Sequence, residues 1–153
     1  MGIEPLHTLL REHPFFSGLE EPDIEFIAGC GRNVVFEPGE YLFHEGEDAD
    51  QMFIVRRGRV ALEIVAPGRE PVVLDSPAEG DVIGFSWLFP PYRWQFDGRA
   101  LEPVRAVALD GVCLRDKCEE DKRLGYELMK RVASIVPRRL QSARLRLADM
   151  YRP

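Results

Sequence analysis

The side chains best suited to touching a ligand crowd into one stretch, Gly84-Phe85-Ser86-Trp87-Leu88-Phe89-Pro90-Pro91-Tyr92-Arg93-Trp94-Gln95-Phe96-Asp97-Gly98-Arg99. Its aromatic rings offer stacking faces and, from tryptophan, an N–H donor; Arg93 and Arg99 offer charged forks suited to carboxylate or phosphate. Ser86 and Gln95 add neutral polar groups. Catalysis has no comparable constellation. The sequence contains no Gly-x-Ser-x-Gly, HExxH, Walker or Rossmann motif, so a non-enzyme without a cofactor is expected. The acids of His44-Glu45-Gly46-Glu47-Asp48-Ala49-Asp50 surround a glycine, but they lack the alternating ligands and closing glutamate of a calcium loop. No metal is expected. His7 and His13 lie far in sequence from any nucleophile they would activate.

These residues sit near the end of a long β-like region. From Asn33 onward, short apolar runs alternate with turn residues: Val34–Phe36, Tyr41–Phe43, Met52–Val55, Val60–Val65, Val72–Leu74, Val82–Ile83, Arg99–Leu101 and Val104–Leu109, separated by Pro38-Gly39, Gly46, Gly58, Pro67-Gly68, Gly80 and Pro103. About eight short strands predict a sandwich, jelly roll or small barrel. Gly39, Gly46 and Gly58 fall where hairpin turns need positive φ. Before the strands, Ile3, Leu6, Leu9 and Leu10 mark a short helix that stops near His13-Pro14. Phe15–Leu19 then reads as a tight apolar turn, and Glu21-Pro22-Asp23 opens a second helix ending at Gly29 or Gly31. After Gly111 the period is helical again, through Leu114, Cys118, Leu124, Leu128, Val132 and Ile135.

Three segments, Pro14–Leu19, Phe36–Asp50 (FEPGEYLFHEGEDAD) and Met52–Val60 (MFIVRRGRV), resemble the cyclic-nucleotide-binding domain family, the effector module of catabolite-activator-type regulators, kinase A regulatory subunits and gated channels. The resemblance runs from about Leu6 to Met150. It implies a mainly β fold with flanking helices: a double-stranded β-helix, or jelly-roll-like β-roll, between N-terminal and C-terminal α-helices. One unit over 1–153 is expected, with helices over 1–32, the roll over 33–110, a phosphate-binding cassette over about 84–99 and helices over 111–153. In the family that cassette is a short helix and loop, with a glutamate for the ribose hydroxyl and an arginine for the cyclic phosphate. Gapless placement between Gly84 and Arg99-Ala100 puts Phe85 at the glutamate position and Trp94 at the arginine position. Neither replacement supplies the lost chemistry, and an uncompensated buried phosphate costs roughly 3–5 kcal/mol. The cassette so placed makes Gly84, Phe85, Ser86, Trp87, Arg93, Trp94, Gln95 and Arg99 the ligand-pocket candidates, and a sensor that has lost its phosphate anchors is the reading. Three states of the pocket remain: filled by its own rings, open to a more apolar ligand stacked on Trp87 or Trp94, or a cyclic nucleotide (cAMP or cGMP) receptor using Arg93 or Arg99.

The 153 residues carry a formal charge of −6, which disfavours nucleic acid, and the family's helix-turn-helix is not found, so no direct DNA binding is expected. No apolar run spans a membrane and no leader precedes the first helix, so a cytoplasmic location is expected. Cys30, Cys113 and Cys118 form an odd set without a nearby histidine and read as reduced, mostly buried thiols. Val136, Leu140, Ala143, Leu147 and Met150 recur at steps of four and three, a seam suited to a homodimer helix; the alternative is that this stripe packs back on the roll. Pro137 interrupts the pattern, and a kink or hinge is expected there.

Overall fold

Turns that only glycine makes without strain punctuate the strands: Gly39, Gly46 and Gly58 have φ of +88°, +87° and +94°. The computed structural model describes residues 6–151. Its strands are β1 (Gly31–Phe36), β2 (Tyr41–Phe43), β3 (Gln51–Arg57), β4 (Val60–Ile64), β5 (Val72–Asp75), β6 (Val82–Ile83), β7 (Asp97–Ala100) and β8 (Val104–Asp110). They form two four-stranded antiparallel sheets, ordered β1-β8-β3-β6 and β2-β7-β4-β5. This is the mainly β, jelly-roll-like β-roll with flanking helices that the sequence implies.

Strand alternation divides the apolar residues between two cores. Along β8, Val104, Ala106 and Ala108 face the interior of the roll with Phe43, Phe53, Val60 and Leu62. Val107 and Leu109 face the opposite way, into a second core completed by helices. Those helices are α1 (Leu6–Glu12), α2 (Glu21–Gly29), α3 (Gly111–Glu120) and α4 (Lys122–Met150), with a short 3-10 helix at Pro14–Phe16 that overlaps the start of the expected apolar turn. The expected contribution of Ile3 to the first helix lies outside the described residues.

Leu124, Leu128, Val132 and Ile135 recur on one face of α4 and are buried in the helical core. Asp23, only 7% exposed at its side chain, accepts both 3.0 and 2.9 Å bonds from Arg123 and ties α2 to α4. Asp110 caps α3 by accepting from the N–H groups of Val112 and Cys113, and Asp121 caps α4 through Leu124. The interruption expected at Pro137 does not end the helix: α4 runs through it. The proline removes one rung, but the following turns are held to the roll by Arg139 on Asp75 at 3.2 Å and Arg146 on Ser76 at 2.7 Å. Among the described residues, no helix is long and apolar enough to cross a membrane.

Candidate functional site

The segment from Gly84 to Phe96 links β6 to β7 through turns, bends and one isolated β-bridge between Arg93 and Asp48, so the short helix implied by the resemblance is not formed. Leu88 N–H donates to Phe85 O at 3.0 Å and Tyr92 N–H to Phe89 O at 2.9 Å, each closing a single turn. The physical reason is Pro90-Pro91, which has no N–H donors and disfavours helical backbone at Phe89.

The end of this segment is pinned to the acidic turn after β2. Ala49 N–H donates to Tyr92 O at 2.8 Å, Trp94 N–H to Glu47 O at 2.9 Å, and Gly46 N–H to Trp94 O at 2.8 Å. Held from both its own N–H and C=O, Trp94 drops its ring into the roll, where it is 3% exposed. The ring stacks flat on Phe43, with centroids 3.6 Å apart and planes 5° off parallel, while Phe53 and Phe96 lie at 6.4 and 6.5 Å. Two glycines make room. Gly84 has φ +106° and a Cβ there would meet Trp94 Cη2 at 2.9 Å; a Cβ on Gly98 would meet the Phe43 ring at 2.6 Å.

The other candidates do not join Trp94. Phe85 is half-buried against the helical core, so the side chain at the expected glutamate position faces away from the roll interior. Trp87 is fully buried in that same core and donates its Nε1–H to Gly84 O at 3.1 Å, which leaves no free ring face for a stacked ligand. Ser86 is buried beside it. Arg99 lies between Gly98 and Ala100, which face the interior, and projects from the outer face of β7. There it grips Glu63, 1% exposed, through bonds of 2.8 and 3.2 Å, and this bond raises the Arg99 guanidinium above its ordinary pKa. Arg99 is thus removed from the interior by strand parity. Arg93 stays at the rim, 53% exposed, paired with Asp48 at 2.8 Å and donating to Gly46 O at 3.3 Å. Gln95, exposed, donates to Arg93 O at 3.0 Å.

The rim is acidic. Glu45, Glu47 and Asp48 belong to the turn that holds Trp94, and Asp97 accepts from Glu45 N–H at 2.7 Å. Arg93, the cation nearest Trp94 along the chain, already has a carboxylate partner. Sequence reasoning missed several supporting residues: Phe43 and Phe53, which complete the ring stack, Glu63, which claims Arg99, and Arg115. Arg115 donates to Trp87 O at 2.6 Å and covers the Tyr92 ring at 3.9 Å. Strand alternation marks Phe43 and Phe53 as inward, but only the β4–β7 pairing brings Glu63 to Arg99.

On α4, Val136, Leu140, Leu147 and Met150 are 40%, 58%, 52% and 57% exposed, and Ala143 is half-exposed. The face turned to the roll carries Arg139 and Arg146, and of the seam residues Met150 lines a surface cavity with Val72 and Val73 of β5.

Residues 33–121 match the family model described as "Cyclic nucleotide-binding domain". A CRP-like cAMP-activated global transcriptional regulator of Mycobacterium tuberculosis is 26% identical over 145 residues, covering 95% of this chain and 63% of its own length. The chain therefore spans less than two thirds of that relative. A Geobacter metallireducens GS-15 protein, designated a candidate cyclic nucleotide-binding protein, has a crystal structure that superposes with a TM-score of 0.80 at 33% identity, over 90% of this chain and 98% of that one. The regulatory subunit of a cAMP-independent protein kinase A from Trypanosoma cruzi, solved bound to guanosine, superposes with a TM-score of 0.62 at 26% identity, over 78% and 46%.

Proposed function

This chain belongs to the cyclic nucleotide-binding domain family, and from that premise we propose that it is a non-enzymatic regulatory β-roll that has given up the family's cyclic-phosphate anchor. The observation that carries this reading is Trp94, stacked on Phe43 inside the roll at the position where the resemblance puts the phosphate-binding arginine. A buried indole brings apolar area and no charge, so it stabilises the roll as a core and offers a phosphate nothing to pair with. The acidic rim adds repulsion. Output then runs through protein contacts: the exposed seam of α4 suits a homodimer, and Pro137 is the point at which the helix bends most easily when its partner or the roll changes. A ligand without a phosphate is compatible with this chemistry, and the guanosine held by the trypanosomal relative supports such an alternative in the family.

A second reading, a cyclic-nucleotide receptor with a non-standard site, rests on Arg93. It is exposed, adjacent to Trp94, and would have to exchange Asp48 for the phosphate. Calorimetric titration of the full chain with cAMP, cGMP and guanosine separates the readings. The expected result is no heat of binding for either cyclic nucleotide. Micromolar binding of cAMP or cGMP that is lost in Arg93→Ala overturns the proposal in favour of the second reading, and such binding kept in Arg93→Ala overturns both.

A further inference from the structure

Cys30 and Cys113 are separated by 83 positions, yet their sulfurs approach to 2.7 Å. The topology brings them together. Cys30 caps the end of α2, immediately before β1, and Cys113 lies in the first turn of α3, immediately after β8. β1 and β8 pair antiparallel with Gly31 opposite Leu109, and Asp110 N–H extends the ladder by donating to Cys30 O at 2.9 Å. The two thiols thus sit just past the end of a hydrogen-bonded ladder that fixes their spacing. Neither is fully buried, and Cys30 borders a surface cavity of about 380 Å³ together with Asp50, Asp110 and Val112. Cys118 is buried on the other side of α3 and bonds to neither.

We propose that Cys30 and Cys113 are a modification site: a dithiol that closes reversibly to an intramolecular disulfide, joining the chain into a ring that contains all eight strands. The oxidant is a low-molecular-weight disulfide. Cys113, once its proton has passed to solvent, attacks one sulfur of RS–SR and releases RS⁻. Cys30, whose pKa burial and the shared proton push up to about 12, keeps its hydrogen until this step. It then gives that proton to the released RS⁻, attacks the Cys113 sulfur, breaks the mixed disulfide and releases the second thiol. Two protein thiols are oxidised and one RS–SR is reduced to two RSH. The bond locks the start of α3 to the α2–β1 junction, on the helical side of the roll, and is independent of whatever occupies the interior.

The test uses the full chain, oxidised glutathione as the oxidant, alkylation of remaining thiols and peptide mapping. The expected product is one Cys30–Cys113 cross-linked peptide with Cys118 alkylated. Because the closed loop spans most of the chain, Tm should rise by about 10 °C on oxidation and fall back with dithiothreitol. Cys30→Ser and Cys113→Ser should each abolish the shift and Cys118→Ser should keep it. A map of the wild-type chain showing only glutathione adducts, links to Cys118, links between two copies, or three alkylated thiols overturns the proposal without reference to any variant.

Discussion

Trp87 and Trp94 leave the same irregular segment and enter different cores. Trp87 goes to the helical side, fully buried, with its N–H spent on Gly84 O. Trp94 goes to the roll side and lies flat on Phe43. The first arrangement is what any β-roll needs where helices cover a sheet. The second gives the interior of the roll the packing of a core. The difference teaches that one irregular segment can serve two cores, and, on the proposed function, that Trp94 is where family membership and the family's ligand chemistry part.

The largest effect should come from removing either ring. Trp87→Ala should cost about 5 kcal/mol and Trp94→Ala about 3–4 kcal/mol in chemical denaturation, the first losing a buried hydrogen bond as well as the packing. A Trp94→Ala loss below about 1 kcal/mol would break the comparison, since a ring that costs nothing to remove is no core residue. Next comes the outer face of β7. Arg99→Ala leaves Glu63 buried without its partner and should cost about 3 kcal/mol. A neutral outcome there would mean that the pair is not closed in solution and that Arg99 is free for other contacts.

Much of this organisation is legible in the sequence. Short apolar runs between turn residues mark the strands, even where β3 and β4 bury consecutive residues and show no alternation. Trp94 stands out because the flanking Gly84 and Arg99-Ala100 anchor its position. Phe85 was not legible: between β6 and β7 there is no regular period, so nothing in the string says which core a side chain enters. Cys30 and Cys113 escaped for a different reason, since their proximity follows from the β1–β8 pairing and not from spacing along the chain. Pro137 is a case in which tertiary bonds from Arg139 and Arg146 keep a helix going past a residue that weakens it locally.

Two smaller effects sharpen the contrast between buried and exposed surfaces. Leu140→Asp with Leu147→Asp should change the stability of the fold by no more than about 0.5 kcal/mol per site, because both side chains are exposed, while converting a dimer to a monomer in light scattering. A wild type that is already monomeric at working concentration contradicts the assigned role of the seam. Arg93→Ala should change stability by about 0.5 kcal/mol or less, as expected for an exposed pair with Asp48.

The central claim, that Trp94 closes the interior of the roll, is most directly tested by fluorescence. The chain has two tryptophans, so Trp87→Phe leaves Trp94 as the remaining indole. The account predicts a blue-shifted emission, poorly quenched by acrylamide and unchanged by cAMP or cGMP. A solvent-like emission in the free protein, or a red shift and stronger quenching on adding either nucleotide, would contradict it.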